Sequence, residues 1–124
     1  MNILWVGAGG FIGAVCRYAM SGWVHRWFGN SWFPVGTLAV NMLGCLVIGM
    51  LAGMSESRQL FTPEMRLFLF IGLLGGFTTF STFGYETISL FSDGQLATGL
   101  INIFGQLILG LGGVWLGLVL GRIV

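Results

Sequence analysis

Gly75-Gly76-Phe77-Thr78-Thr79-Phe80-Ser81-Thr82-Phe83-Gly84 places two adjacent glycines and four hydroxyl side chains inside an otherwise apolar stretch long enough to span a membrane. A helix facing lipid gains nothing from such a run. Backbone that leaves the helix at membrane depth is tolerated only where protein buries it or where it lines a hydrated path. Broken helices of this kind build ion sites in transport proteins. The competing reading is a plain kink in a packed helix.

The composition around this run supports a membrane setting. Of 124 residues, 56% are hydrophobic and 7% charged, against about 25% charged in a soluble domain. The net charge is +1, there is no lysine and no basic run, which argues against a nucleic-acid partner. Cys16 and Cys45 fall in apolar segments without metal-ligand spacing and read as small packing residues. The start, Met1-Asn2-Ile3-Leu4-Trp5, lacks the charged beginning and cleavage pattern of a signal peptide, so the first apolar segment reads as retained. The 22 glycines predict helices packed backbone to backbone.

Working outward, four apolar segments emerge, at about 3–24, 34–54, 63–91 and 95–123, each near or above the ~20 residues that cross a bilayer. Trp23, His25, Arg26 and Trp27 close the first as interfacial anchors. Residues 28–33 form a loop with a turn signal at Gly29-Asn30. Pro34 opens the second segment in its first turn. Residues 55–62, with Glu56 and Arg58, read as a hydrated loop. Thr62, Pro63 and Glu64 supply cap, first-turn proline and N-terminal acid for the third segment. That segment is too long for one upright helix and predicts two halves, broken near 75–79. Ser92 and Gln95 have capping-box spacing before the fourth. The chain therefore reads as one all-α integral membrane domain over 1–124, with four transmembrane helices and a broken third. Arg58, Arg66 and Arg122 lie on the side of the termini and Arg26 opposite, a weak bias compatible with insertion in both orientations. With no internal repeat, an antiparallel homodimer would supply the inverted symmetry that transport folds use.

Several polar residues stand out within these spans. Arg17 sits midway along the first, where a charge is a functional hypothesis, the alternative being a snorkelling arginine. Asn41 can donate to an anion or tie two helices together, and Thr37 lies one turn earlier on its face. Phe80 and Phe83 share a helix face. They are either packing residues or present the positive edges of their rings to a small anion. Ser81 and Thr82 add hydroxyl donors beside them. Glu86 continues that face and either carries protons or marks a vestibule. Thr98, Asn102 and Gln106 form a stripe expected to border a polar pathway. No nucleophile–base pair, metal cluster or phosphate loop appears, so an enzyme reading has little support; His25 reads as an anchor.

These residues resemble the Fluc/CrcB fluoride channel family. The run 75–83 is similar to that family's third-helix signature. Pro34-Val35-Gly36-Thr37-Leu38-Ala39-Val40-Asn41-Met42-Leu43-Gly44 resembles its second-helix motif, and Gly9-Gly10-Phe11-Ile12-Gly13-Ala14-Val15-Cys16-Arg17-Tyr18 its first. The resemblance implies a dual-topology antiparallel homodimer in the bacterial inner (plasma) membrane, with two fluoride pores. It implies that the ring edges of Phe80 and Phe83 face fluoride, that Asn41 is the pore asparagine, and that Ser81 and Thr82 lie near the ion path. It places Arg17 near a vestibule, and it implies a structural sodium ion at the dimer centre, held by the backbone carbonyls of Gly75 and Thr78. In the fourth helix Asn102, Phe104 and Gln106 stand where the family often carries tyrosine and serine hydroxyls.

The implied activity is passive. Fluoride trapped in the cytoplasm leaves down its electrochemical gradient, driven by about 2.3 kcal/mol per 100 mV of membrane potential. The alternative is a proton-coupled four-helix exporter, resembling the small multidrug resistance proteins. Those use a first-helix glutamate; here the first segment has Arg17 and no acid, so Glu86 would have to serve.

Overall fold

Helices form wherever the apolar segments leave backbone groups no partner but each other. The computed structural model describes residues 1–29 and 32–124. Among them, four helical stretches are long and apolar enough to cross a membrane. They are α1 (Asn2–Trp27), α2 (Val35–Arg58), the broken span Pro63–Ser92, and a last helix, Leu96–Ile123. The broken span divides into α3 (residues 63–77) and α4 (Phe80–Ser92), so the last helix is α5. Of the predicted turn at Gly29-Asn30, Gly29 has a left-handed φ of 66°, while Asn30 lies outside the described residues.

Some boundaries differ from those expected. Pro34 precedes the first turn of α2 as its N-cap. At the other end α2 runs on through Glu56 and Arg58, so the connection to α3 is only residues 59–62, with Gln59 left-handed at φ 50°. Polar contacts hold this extra turn. Arg122 donates to Glu56 Oε2 from Nη2 (2.8 Å) and Nε (3.1 Å), and Arg66 Nη2 donates to Ser55 Oγ at 2.6 Å. The expected Ser92–Gln95 capping box does not form. Ser92 closes α4, and Gln95 caps α5 without a side-chain bond. Gly94 makes the turn between them at φ 76°.

Thr62 caps α3 as expected, its hydroxyl accepting from Met65 N at 3.2 Å, with Pro63 in the first turn. From Leu67 to Leu74 the helix widens into a π-helix, a form usually confined to single turns and often found near functional sites. It lies directly against α1. A Cβ on Gly9 would strike the carbonyl oxygen of Phe68, one on Gly13 that of Leu73, and one on Gly76 would come within 2.8 Å of Gly10 O. The glycine pair of the central motif is thus helical. The break sits two residues later than the glycines, at Thr78 (ψ 157°) and Thr79 (φ −149°, ψ 115°), both extended.

The same device joins α2 to α5. Side chains on Gly49, Gly117 and Gly121 would collide with the backbone carbonyls of Val114, Leu46 and Met50 respectively. Lipid offers no hydrophobic drive for helix pairing, so this contact rests on van der Waals packing of backbone on backbone. Large apolar side chains such as Ile101, Ile108, Leu111 and Trp115 point outward and are exposed, as a surface solvated by lipid chains requires.

Candidate ion path at the broken third helix

The break strips the ends of two helices of their partners, and Asn41 supplies replacements. Its Oδ1 accepts from Thr79 N (2.9 Å), and its Nδ2 donates to Thr79 O (3.1 Å) and to Gln106 Oε1 (3.1 Å). One side chain thereby mimics a peptide unit for the extended residue and ties α2, the break and α5 together. Of the two readings of Asn41, the structure shows the tie, and both its amide hydrogens are engaged. Gln106, 8% exposed, keeps its own Nε2 buried without a partner among the described residues. An unpaired buried amide nitrogen is costly, so this group is ready to donate.

Thr79 is the hub that residue-by-residue reading passed over. It caps α4, its Oγ1 accepting from Thr82 N at 3.2 Å and donating to Thr82 Oγ1 at 3.0 Å. Among the described residues the Thr82 hydroxyl proton has no acceptor, so it is left to donate. The available signal was Thr-x-x-Thr after a break, an N-cap pattern. The amides of Phe80 and Ser81 belong to the first turn of α4, which has no intrahelical acceptors. Such a terminus attracts anions.

Two cavities flank this point, and Thr79 lines both. The larger, about 700 Å³, is walled by Arg17, Thr37, Thr82 and Glu86, with His25 and Asp93 also on its lining. Thr37 Oγ1 donates to Glu86 Oε1 at 2.7 Å, while Glu86 Oε2 is buried without a partner among the described residues. Arg17 is half-buried and points Nη1 at the Thr78 carbonyl from 3.5 Å, a long contact. The smaller cavity, about 340 Å³, is lined by Asn41, Gly75, Thr78, Phe80, Phe83 and Gln106, among others. The Phe80 and Phe83 ring centroids are 5.6 Å apart at 58°, and Phe80 is 81% exposed in the single chain. Glu86, though on the same helix, opens into the other cavity.

Ser81 is exposed and lines neither cavity. The stripe on α5 departs most from expectation. Thr98, Asn102 and Gln106 are all buried against neighbouring helices, and only Gln106 reaches a cavity. Asn102, 0% exposed, donates to Thr87 Oγ1 at 2.9 Å, and Thr87 donates to Phe83 O at 2.8 Å. This chain braces the helix that carries the phenylalanines.

For a hard cation, the break offers oxygen donors. Thr79 N is bound to Asn41 and Thr82 N to Thr79 Oγ1, so the carbonyls of Gly75 and Thr78 lose the donors that a continuous helix would give them. Freed carbonyls of this type coordinate sodium in broken-helix transport proteins.

A four-span helical membrane protein whose third span breaks between two polar-edged cavities has the architecture of the ion-transport class. Residues 4–118 match the model of the CrcB family, described as CrcB-like protein, Camphor Resistance. The chain is 47% identical over 121 residues to the fluoride-specific ion channel FluC of Maridesulfovibrio salexigens, covering 98% of this chain and 95% of that one. It is 46% identical to FluC 3 of Methanosarcina barkeri, covering 94% and 86%. It is 41% identical to FluC of Magnetococcus marinus over the full length of both. The chain belongs to the CrcB family.

Proposed function

We propose that this protein is a fluoride-selective channel that lets cytoplasmic fluoride leave passively down its electrochemical gradient and so confers fluoride resistance. The observation that carries the reading is the break at Thr78–Thr79, held open by Asn41 between two cavities, in a chain whose near-full-length relatives are named fluoride channels. It is a channel, not an enzyme. A proton-coupled exporter built on Glu86 finds no support among those relatives.

Fluoride gives up a tight hydration shell only where donors replace it. The hydroxyl of Thr82, the Phe80 amide and Gln106 Nε2 offer replacements along the break. The positive ring edges of Phe80 and Phe83 add a further anion contact in the smaller cavity. Arg17 draws anions into the larger cavity, which Glu86 keeps from holding them too firmly. In this reading Asn41 positions Thr79 and Gln106 at the pore, and Asn102 braces α4 through Thr87.

The finer assembly belongs to the same proposal. Two copies insert antiparallel in the plasma membrane of a bacterium, and the exposed Phe80 is covered by, or faces, the partner copy. Where the two breaks cross, the carbonyls of Gly75 and Thr78 hold a sodium ion, which ties the copies electrostatically. Arg17 near the Thr78 carbonyl would compete with the ion if it moved closer.

Fluoride efflux from liposomes containing only the purified protein tests the function. With internal potassium fluoride, a potassium ionophore and a fluoride electrode, fast fluoride release is expected, without a pH gradient and without chloride release in a chloride-loaded control. Release that waits for an imposed proton gradient would overturn the passive reading.

A further inference from the structure

Two sulfur side chains in the smaller cavity have no part in the mechanism above. Met42 and Cys45 are three residues apart on α2, hence on one face, and both line the cavity that holds Phe80 and Phe83. Both lean toward α5 at Gly110. Cys45 Sγ and Met42 Cε each lie 3.6 Å from the point that a Cβ on Gly110 would occupy. The missing side chain leaves room beside the Cys45 sulfur and the terminal methyl of Met42. On the same lining, Gln106 is 8% exposed, with a buried Nε2 that has no partner among the described residues. Cys45 is only half-buried and is a free thiol. A thiol beside a thioether is a donor set for soft metal ions, which hard oxygen-seeking cations ignore.

We propose that Met42 and Cys45 form a soft-metal site on the ion path, at which mercuric ion closes the channel. Mercuric chloride reacts with the thiol without any redox change: the S–H and one Hg–Cl bond break, an S–Hg bond forms, and a proton and a chloride ion leave. The product carries S–Hg–Cl. The Met42 thioether, on the same face of α2, is the second, neutral sulfur donor. The adduct fills space next to the phenylalanine pair, where fluoride must pass. This rests on the reading that the smaller cavity lies on that path.

The test uses the reconstituted full-length protein and micromolar mercuric chloride. Fluoride efflux is expected to fall at least tenfold and to recover when dithiothreitol removes the metal. Intact-protein and peptide mass spectrometry should find mercury on Cys45. Cys16→Ser, which removes the exposed thiol on α1, should remain sensitive, whereas Cys45→Ala should conduct and ignore mercury. Met42→Leu, which keeps bulk and loses the thioether, should recover faster on washing. If Cys45 takes up no metal, or takes it up while efflux continues, the proposal is overturned. Should Cys45→Ala fail to fold, the peptide assignment and dithiothreitol reversal in Cys16→Ser decide the matter alone. Absence of fluoride efflux before any mercury is added would instead break the channel reading, leaving the metal site to stand or fall on mass spectrometry.

Discussion

The two cavities that meet at Thr79 are made of different chemistry. The larger one collects charged side chains, with Arg17, Glu86 and Asp93 on its lining. The smaller one carries no charged side chain on its described lining, which consists of Phe70, Phe80, Phe83, sulfur and aliphatic groups with two amides and the threonines of the break. A charged wall acts over distance and raises local ion concentration. An apolar wall with ring edges acts only at contact and admits what fits. The division teaches that capture and selection are separated in space, with Thr79 and its Asn41 clamp as the boundary.

Breaking the contact side should cost most. Phe83→Ile keeps apolar bulk and removes the ring edge, and fluoride efflux should fall by about two orders of magnitude, the scale of losing ~3 kcal/mol at a passage barrier. Phe80→Ile should behave alike, with size-exclusion elution unchanged in both. Normal efflux in both variants would erase the assigned role of the rings.

The boundary comes next. Asn41→Leu leaves Thr79 N and O without their partners and releases Gln106. Each stranded buried group costs about 1–3 kcal/mol. Both the thermal unfolding midpoint in detergent and the efflux rate should drop, the latter at least tenfold. Efflux lost with an unchanged midpoint would mean that Asn41 binds the ion rather than holding the break.

The charged side should respond more weakly and in a different manner. Arg17→Gln should slow efflux several-fold at low ionic strength, with the gap closing as salt rises toward the molar range, where the Debye length is about 3 Å. A deficit that persists in high salt would place Arg17 in direct contact with the ion. The smallest change is expected of Glu86→Gln. It keeps an acceptor for Thr37 and removes a charge from an open cavity, so efflux without a pH gradient should stay within about threefold of the parent, a difference of under ~0.7 kcal/mol.

Much of this was legible from residue order. The four spans, the cap at Thr62, a break in the third span and the pairing of Phe80 with Phe83 all follow from hydropathy, local capping and a three-residue spacing, whereas the cap at Thr79 was passed over. These are local properties, set within one helical turn. The π-helical stretch Leu67–Leu74 was not legible, because nothing in an apolar run distinguishes hydrogen bonding to the fourth residue from bonding to the fifth. Nor was the extra turn of α2, since Glu56 and Arg58 read as loop residues until Arg122 arrives from the far end of the chain.

Amide side chains show the limit most clearly. Asn41, Asn102 and Gln106 are alike in sequence terms, each a polar group in an apolar helix. One clamps the break, one is sealed against Thr87, and one holds an unpaired donor at a cavity. Their donors and acceptors reach only about 3 Å, so their roles depend on which helix packs opposite. The sequence alone determined a membrane bundle with a break in its third span, because transfer of the backbone into lipid leaves few other solutions. Only the tertiary structure decided which side chains close that break and which ones face the cavities, because those partners are brought within hydrogen-bonding distance by packing between distant segments.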